Sequence, residues 1–255
     1  MKILVLAITL NTILISCGST EKNATTIKEL EKNAHTLLFF DKTQSVDINN
    51  SFVKNKYEGA LKNIIDQNIN TAGDVLEIYY IHENTAKAKC LSIVTRTEKE
   101  NTEGLNVTDL EASETNYKMG IQKERKMMLT MAIQKMNEKN TGSSNLETNV
   151  SASVQVLAAA LEDKKNVMAY FFSDMIESVK TGRDFHKMAP INHDQAQEWA
   201  TNDVESKKLY NLAPATITMI LPFEPTSSSK ENNPNVTDYW KVYFEALGIR
   251  QINEI

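Results

Sequence analysis

Cysteine and histidine are scarce in this chain and positive charge is in slight deficit, and each of these removes a class of chemistry. There are two cysteines, Cys17 and Cys90, in 255 residues. The four histidines, His35, His82, His186 and His193, form no close pair at metal-ligand spacing. The sequence has no Gly-x-Ser-x-Gly elbow, no P-loop and no Gly-x-Gly-x-x-Gly, so the local signatures of hydrolases, nucleotide triphosphatases and dinucleotide enzymes are missing. A net charge of -5 gives no electrostatic reason to expect nucleic acid. The one basic cluster, Lys123-Glu124-Arg125-Lys126, lies inside a helical pattern and reads as a solvated face. No repeat of fixed period is visible. What remains is ordinary: 41% apolar and 24% charged residues argue against wholesale disorder, and the length suits one α/β domain plus an export segment.

The N-terminus reads as processing signal rather than fold. Met1-Lys2 supplies a minimal positive region, and Ile3 to Ile15 is an apolar stretch too short to span a bilayer comfortably. It ends in Leu14-Ile15-Ser16-Cys17, which resembles the bacterial lipobox. That resemblance implies cleavage after residue 16 and acylation of Cys17, on its sulfur and its new amine. Residues 17–33 are polar and predict a tether between the lipid and a domain spanning 34–255. Gly18 is not the aspartate that commonly retains lipoproteins in an inner membrane, so the expected location is the bacterial cell envelope, on the outer membrane if there are two. With Cys17 acylated, Cys90 is the one thiol left and no intramolecular disulfide can form. Cys90 is expected to act as a small core hydrophobe.

From residue 34 onward, strand and helix patterns alternate. Thr36 to Phe40 is an apolar run read as a strand buried on both faces. A helix is predicted over 51–68, with Val53, Tyr57, Ala60, Leu61 and Ile64 on one side. Strands over 74–81 and 89–94 suggest an antiparallel hairpin at a sheet edge. A long helix follows over 109–138, then a second helix starting near Leu146 after the loop Asn140-Thr141-Gly142-Ser143-Ser144-Asn145. Asn166 to Phe172 is a second fully apolar strand. A helix over 194–210, a strand over 215–221 and a helix over 238–247 complete the pattern. This alternation predicts an α/β, Rossmann-like three-layer domain with a mostly parallel central sheet flanked by helices.

Three short motifs fall where such sheets place their ligands, beyond the C-terminal ends of parallel strands. The first strand ends in Asp41-x-Thr43-x-Ser45, the loop before a helix offers Ser143 and Ser144, and the second apolar strand ends in Ser173-Asp174. Any one of these alone is a helix cap or turn more often than a ligand. Together and in this order, they resemble the metal-ion-dependent adhesion site of the von Willebrand factor type A (vWA) family. Asp41, Thr43 and Ser45 match its Asp-x-Ser/Thr-x-Ser motif position by position. Ser144 stands in the place of its threonine, and Asp174 in the place of the aspartate of its Thr-Asp-Gly, with Met175 instead of glycine. The element order resembles the family over roughly residues 34 to 250.

The resemblance implies a vWA-like fold and a single Mg²⁺ or Mn²⁺ held by Asp41, Thr43, Ser45, Ser144 and Asp174. Carboxylates, hydroxyls and waters are the donors such a hard cation takes. It further implies a protein partner supplying an acidic side chain to the open metal position, and no catalytic residue. Two alternatives stand beside it. Asp41-Lys42-Thr43 after an apolar strand is also similar to the nucleophile motif of P-type ATPases and haloacid dehalogenases, which would make Asp41 a phosphoryl acceptor. Against that, Gln44 replaces the glycine and no Gly-Asp-x-x-x-Asp is present. The other is a structural envelope-assembly lipoprotein whose metal site has degenerated. Gly182-Arg183-Asp184-Phe185-His186 is expected to be a packed connecting loop; lining of the metal face by Arg183 or Phe185 is the lesser reading.

Overall fold

Eight consecutive residues of the first strand, β1 (Ala34–Asp41), set the frame, because Leu37, Leu38 and Phe39 are wholly excluded from solvent. Such a strand is stable only with neighbours on both edges and layers on both faces. In the computed structural model, which describes residues 32–140, 146–224, 226–229 and 232–255, it has all four. The export segment 1–16, Cys17, the tether up to residue 31, and Ser144 lie outside the described residues.

The sheet has six strands in the order β3-β2-β1-β4-β5-β6. Besides β1 these are β2 (Val75–Ile81), β3 (Lys89–Val94), β4 (Asn166–Phe172), β5 (Thr216–Ile220) and β6 (Gln251–Glu254). All pairings are parallel except β2 with β3, a hairpin with a register shift between Ile78 and Tyr79. β1 and β4 are direct neighbours, with Phe40 opposite Phe172, so Asp41 and Ser173 leave the sheet side by side.

Strand alternation splits the core into two layers. Leu38, Phe40, Leu76, Ile78 and Phe172 pack with α1 (Ser51–Asn68) and α2 (Val107–Asn137). Leu37, Phe39, Val167, Phe171 and Met219 pack with α3 (Ser153–Glu162), α4 (His193–Val204) and α5 (Pro234–Ala246). Phe39 and Phe171 stack across the strand pair, with ring centroids 4.7 Å apart. Burial of each such side chain stabilises the fold by about 1.5–3 kcal/mol. The α1 helix starts on Asn50, whose side chain accepts from Phe52 N at 2.9 Å and Val53 N at 3.3 Å. It places Tyr57 on the core side, edge-on to Phe172 at 5.1 Å.

Four differences from the sequence reading exceed two residues. The helix expected from Leu146 begins at Ser153, and Leu146 is 72% exposed. The intervening chain pairs with the loop after β4 through a Thr148–Ser178 bridge. The carboxylate of Glu177 takes the amides of Val150 (2.6 Å) and Ser151 (3.2 Å), so these donors are satisfied without a helical turn. The helix expected over 194–210 stops at Val204 and continues as a 3-10 turn over Glu205–Lys207. The final helix begins on Pro234, four residues earlier than expected, with Asn233 as its cap. The fourth difference is β6, an additional parallel edge strand too short and too polar to show a strand pattern. The basic cluster is also less free than its composition suggests: Arg125 donates to Ile69 O at 2.6 Å, and Glu124 takes the amides of Arg96 and Thr97.

Candidate metal centre

The chain leaves β1 at Asp41 and turns at once. Asp41 Oδ1 accepts from the Thr43 amide at 2.9 Å and from Thr43 Oγ1 at 2.5 Å, an Asx-type turn that folds the Asp-x-Thr motif onto itself. Thr43 Oγ1 lies 3.2 Å from Ser45 Oγ. From the next strand, Ser173 Oγ donates to Asp41 Oδ2 at 2.6 Å. The Ser45 hydroxyl is close enough to favour the ionised form of Asp174, and Asp174 repels Asp41. Four of the five residues expected at the site, Asp41, Thr43, Ser45 and Asp174, are therefore brought together. Ser144 lies outside the described residues.

The residue following Asp174 departs from the family pattern, but its backbone does not. Met175 has φ 61°, the left-handed conformation that glycine adopts without strain. A side chain there costs about 1–3 kcal/mol. Three contacts offset it: the Met175 amide donates to Ser173 Oγ at 2.9 Å, Trp240 Nε1 donates to the Met175 carbonyl at 2.7 Å, and the side chain is fully buried. Asp174 Oδ1 accepts the Ile176 amide at 3.0 Å, which holds the carboxylate over the same turn.

Electrostatically the site is under-compensated. Asp41 and Asp174 are both buried. Burial, followed by repulsion from Asp174, pushes the Asp41 carboxyl up to about 7, and burial also raises Asp174. The adjacent cation does not relieve them. Lys42 turns away, and its Nζ donates to the carbonyls of Lys135 (2.9 Å), Met136 (2.6 Å) and Glu138 (2.8 Å) at the end of α2. Burial lowers its pKa to about 8. Among the described residues no group of three or more His, Cys, Asp or Glu gathers with metal geometry. The available donors are two carboxylates and the hydroxyls of Thr43, Ser45 and Ser173, with no thiol or imidazole. This donor set fits a hard divalent cation, which would neutralise the acid pair.

Ser173 was not among the expected ligands; its hydroxyl, directly before the acid, was the available signal. The loop Gly182 to His186 packs as expected. Phe185 lies buried with its ring against Tyr239 at 5.0 Å, and Arg183 forms a two-pronged pair with Asp203 while covering the Trp199 ring.

No family model matches the chain, and no curated protein does. Among solved structures, it is similar to proximal thread matrix protein 1 from the mussel byssus at 11% identity over 84% of this chain and 48% of that one, TM-score 0.31. The manganese-loaded TRAP protein of Plasmodium vivax shows 10% identity over 80% of this chain and 62% of that one, TM-score 0.34. A von Willebrand factor type A from Catenulispora acidiphila shows 13% identity over 85% and 41%, TM-score 0.32. The chain thus spans between 41% and 62% of the length of these structures. Likeness this slight carries no argument about chemistry; the fold class rests on the sheet order and layers described above.

Proposed function

We propose that this chain is a metal-dependent binding protein of vWA-like architecture. In this reading Asp41, Thr43, Ser45, Asp174 and Ser144 hold one Mg²⁺ or Mn²⁺, and a protein partner docks through an acidic side chain at the open position. The observation that carries it is the buried pair Asp41 and Asp174 at the ends of adjacent parallel strands, surrounded by hydroxyls and with no ion pair to either acid among the described residues. Two like charges in a low-dielectric site are costly, and acids perturbed in this way cluster at functional sites. A bound divalent ion supplies the counter-charge and an open coordination position. The protein's part is to hold the oxygens: Thr43 and Ser173 orient the two oxygens of Asp41, and the Ile176 amide orients Asp174. Cys17 is the proposed lipid anchor, with residues 17–33 as tether, on a bacterial envelope membrane.

The phosphoryl-transfer alternative has weaker support. Lys42 is spent on the α2 carbonyls, away from a phosphate at Asp41. Titration calorimetry with Mg²⁺ and Mn²⁺ on the chain and on Asp41→Ala tests the reading. Saturable heats lost in the variant, with unchanged circular dichroism, are expected. Equal heats in the two proteins refute the metal site and leave the structural envelope role.

A further inference from the structure

Two polar atoms close to the acid pair have no partner. The Tyr57 hydroxyl is buried and unbonded, in a residue 1% exposed, and the Asn140 amide nitrogen is likewise buried and unbonded. Both residues line one cavity of 380 Å³, whose wall also includes Asp41, Thr43, Val46 and Met136. Buried polar side chains are nearly always hydrogen-bonded, so two orphans in residues that line one cavity mark a missing partner. The chemistry of that partner follows from the donors. An amide nitrogen can only donate, and the Tyr57 phenol keeps its proton because burial and the fields of Asp41 and Asp174 raise its pKa. Lys42, also in the cavity wall, has its three N–H groups committed to carbonyls. The cavity wall therefore carries two residues with uncommitted donors, which an acceptor with two oxygens would match.

We propose that Tyr57 and Asn140 are specificity-determining donors for a carboxylate seated in this cavity, where one of its oxygens faces the cation held by Asp41, Thr43, Ser45 and Asp174. The proposal rests on the metal reading above and adds the residues that select what approaches the ion. A bare cation site takes any oxygen ligand; a site with two fixed donors beside it prefers a planar oxyanion over water. The volume admits a small free acid as readily as a side chain of another protein.

The test uses the full chain, Mn²⁺ as the probe ion and water-proton relaxation as the readout. Acetate and the peptide Gly-Asp-Gly are titrated separately into the Mn²⁺-loaded protein. Tyr57→Phe is expected to bind Mn²⁺ within about twofold of the parent and acetate about tenfold more weakly, the loss of one charge-assisted hydrogen bond. Asn140→Ala is expected to behave in the same way. A parallel loss for the peptide identifies a side-chain carboxylate as an occupant, whereas a loss for acetate alone identifies a small free acid. Since the hydroxyl is unpaired, Tyr57→Phe should melt no lower than the parent without metal. A lower melting point would mean that the hydroxyl is bonded within the fold, and overturns the proposal. Unchanged acetate affinity in both variants overturns it while leaving the metal site standing. Failure of the parent chain to bind Mn²⁺ overturns both.

Discussion

Asp41→Asn should make the metal-free protein more stable at pH 8 while abolishing its response to divalent ions. The Asp41 carboxyl rises from its ordinary 3.8 to about 7 in the fold, because it is buried and faces Asp174. The folded state therefore binds a proton more tightly than the unfolded chain does. Between pH 4 and pH 7 the unfolded chain has released that proton and the folded one has not, so stability falls as pH rises through this window. At pH 8 the full penalty is present, on the order of 4 kcal/mol at 1.36 kcal/mol per pKa unit. Asparagine removes the charge and keeps the shape. Its Oδ1 can accept from Thr43 as Asp41 does, and its Nδ2 can donate to Ser173 Oγ, reversing the existing bond. Losing charge-assisted bonds offsets part of the gain, leaving roughly 2–3 kcal/mol, or about 5–10 °C in Tm for a domain of this size. Thermal melts in chelator at pH 5 and pH 8 make the comparison. The gain should be large at pH 8 and small at pH 5. Added Mg²⁺ at a hundred times its Kd should stabilise the parent by about 2.7 kcal/mol and the variant not at all. A variant less stable than the parent at pH 8, or equally stabilised at both pH values, refutes the view of Asp41 as a charge held against its own solvation.

Glu177, in the same loop after β4 as Asp174, offers a second titration. Burial pushes it up to about 7, so its contribution to stability is also lost as pH rises from about 4.5 to 7, and Glu177→Gln should flatten that part of the stability–pH curve measured by urea unfolding. Trp240→Phe removes the donor to the Met175 carbonyl; it should cost about 1–3 kcal/mol in urea unfolding with an unchanged m-value, and weaken metal binding by loosening the Asp174 turn. Cys17→Ser should abolish incorporation of labelled palmitate and release the protein from membrane fractions; retention of both would exclude the anchor.

Much of the fold was legible because buried parallel strands write themselves as uninterrupted apolar runs. Leu37 to Phe40 and Val167 to Phe172 are such runs, and their partners fell close to the expected spans. The misplaced start of α3 has a specific cause. Val150, Val154 and Leu157 have helical spacing and are all buried, but a carboxylate from a distant loop satisfies the amides ahead of Ser153, and spacing cannot reveal that. β6 was missed because an edge strand of four residues, three of them polar, carries almost no pattern.

At the centre of the molecule, the division between sequence and structure is clear. Local sequence determined the turn at Asp41-x-Thr43-x-Ser45, since an aspartate accepts from donors two residues ahead whatever the rest of the chain does. It also determined that Asp174 follows a buried strand. Only tertiary structure decided that the two acids face one another, through the direct pairing of β1 and β4 across more than a hundred intervening residues. Only tertiary structure aimed Lys42 at α2 instead of at its neighbouring acid, held Met175 in a glycine-like conformation beneath Trp240, and left the Tyr57 hydroxyl without a partner. Each of these depends on what a side chain meets across the fold, and periodicity and composition carry no record of that.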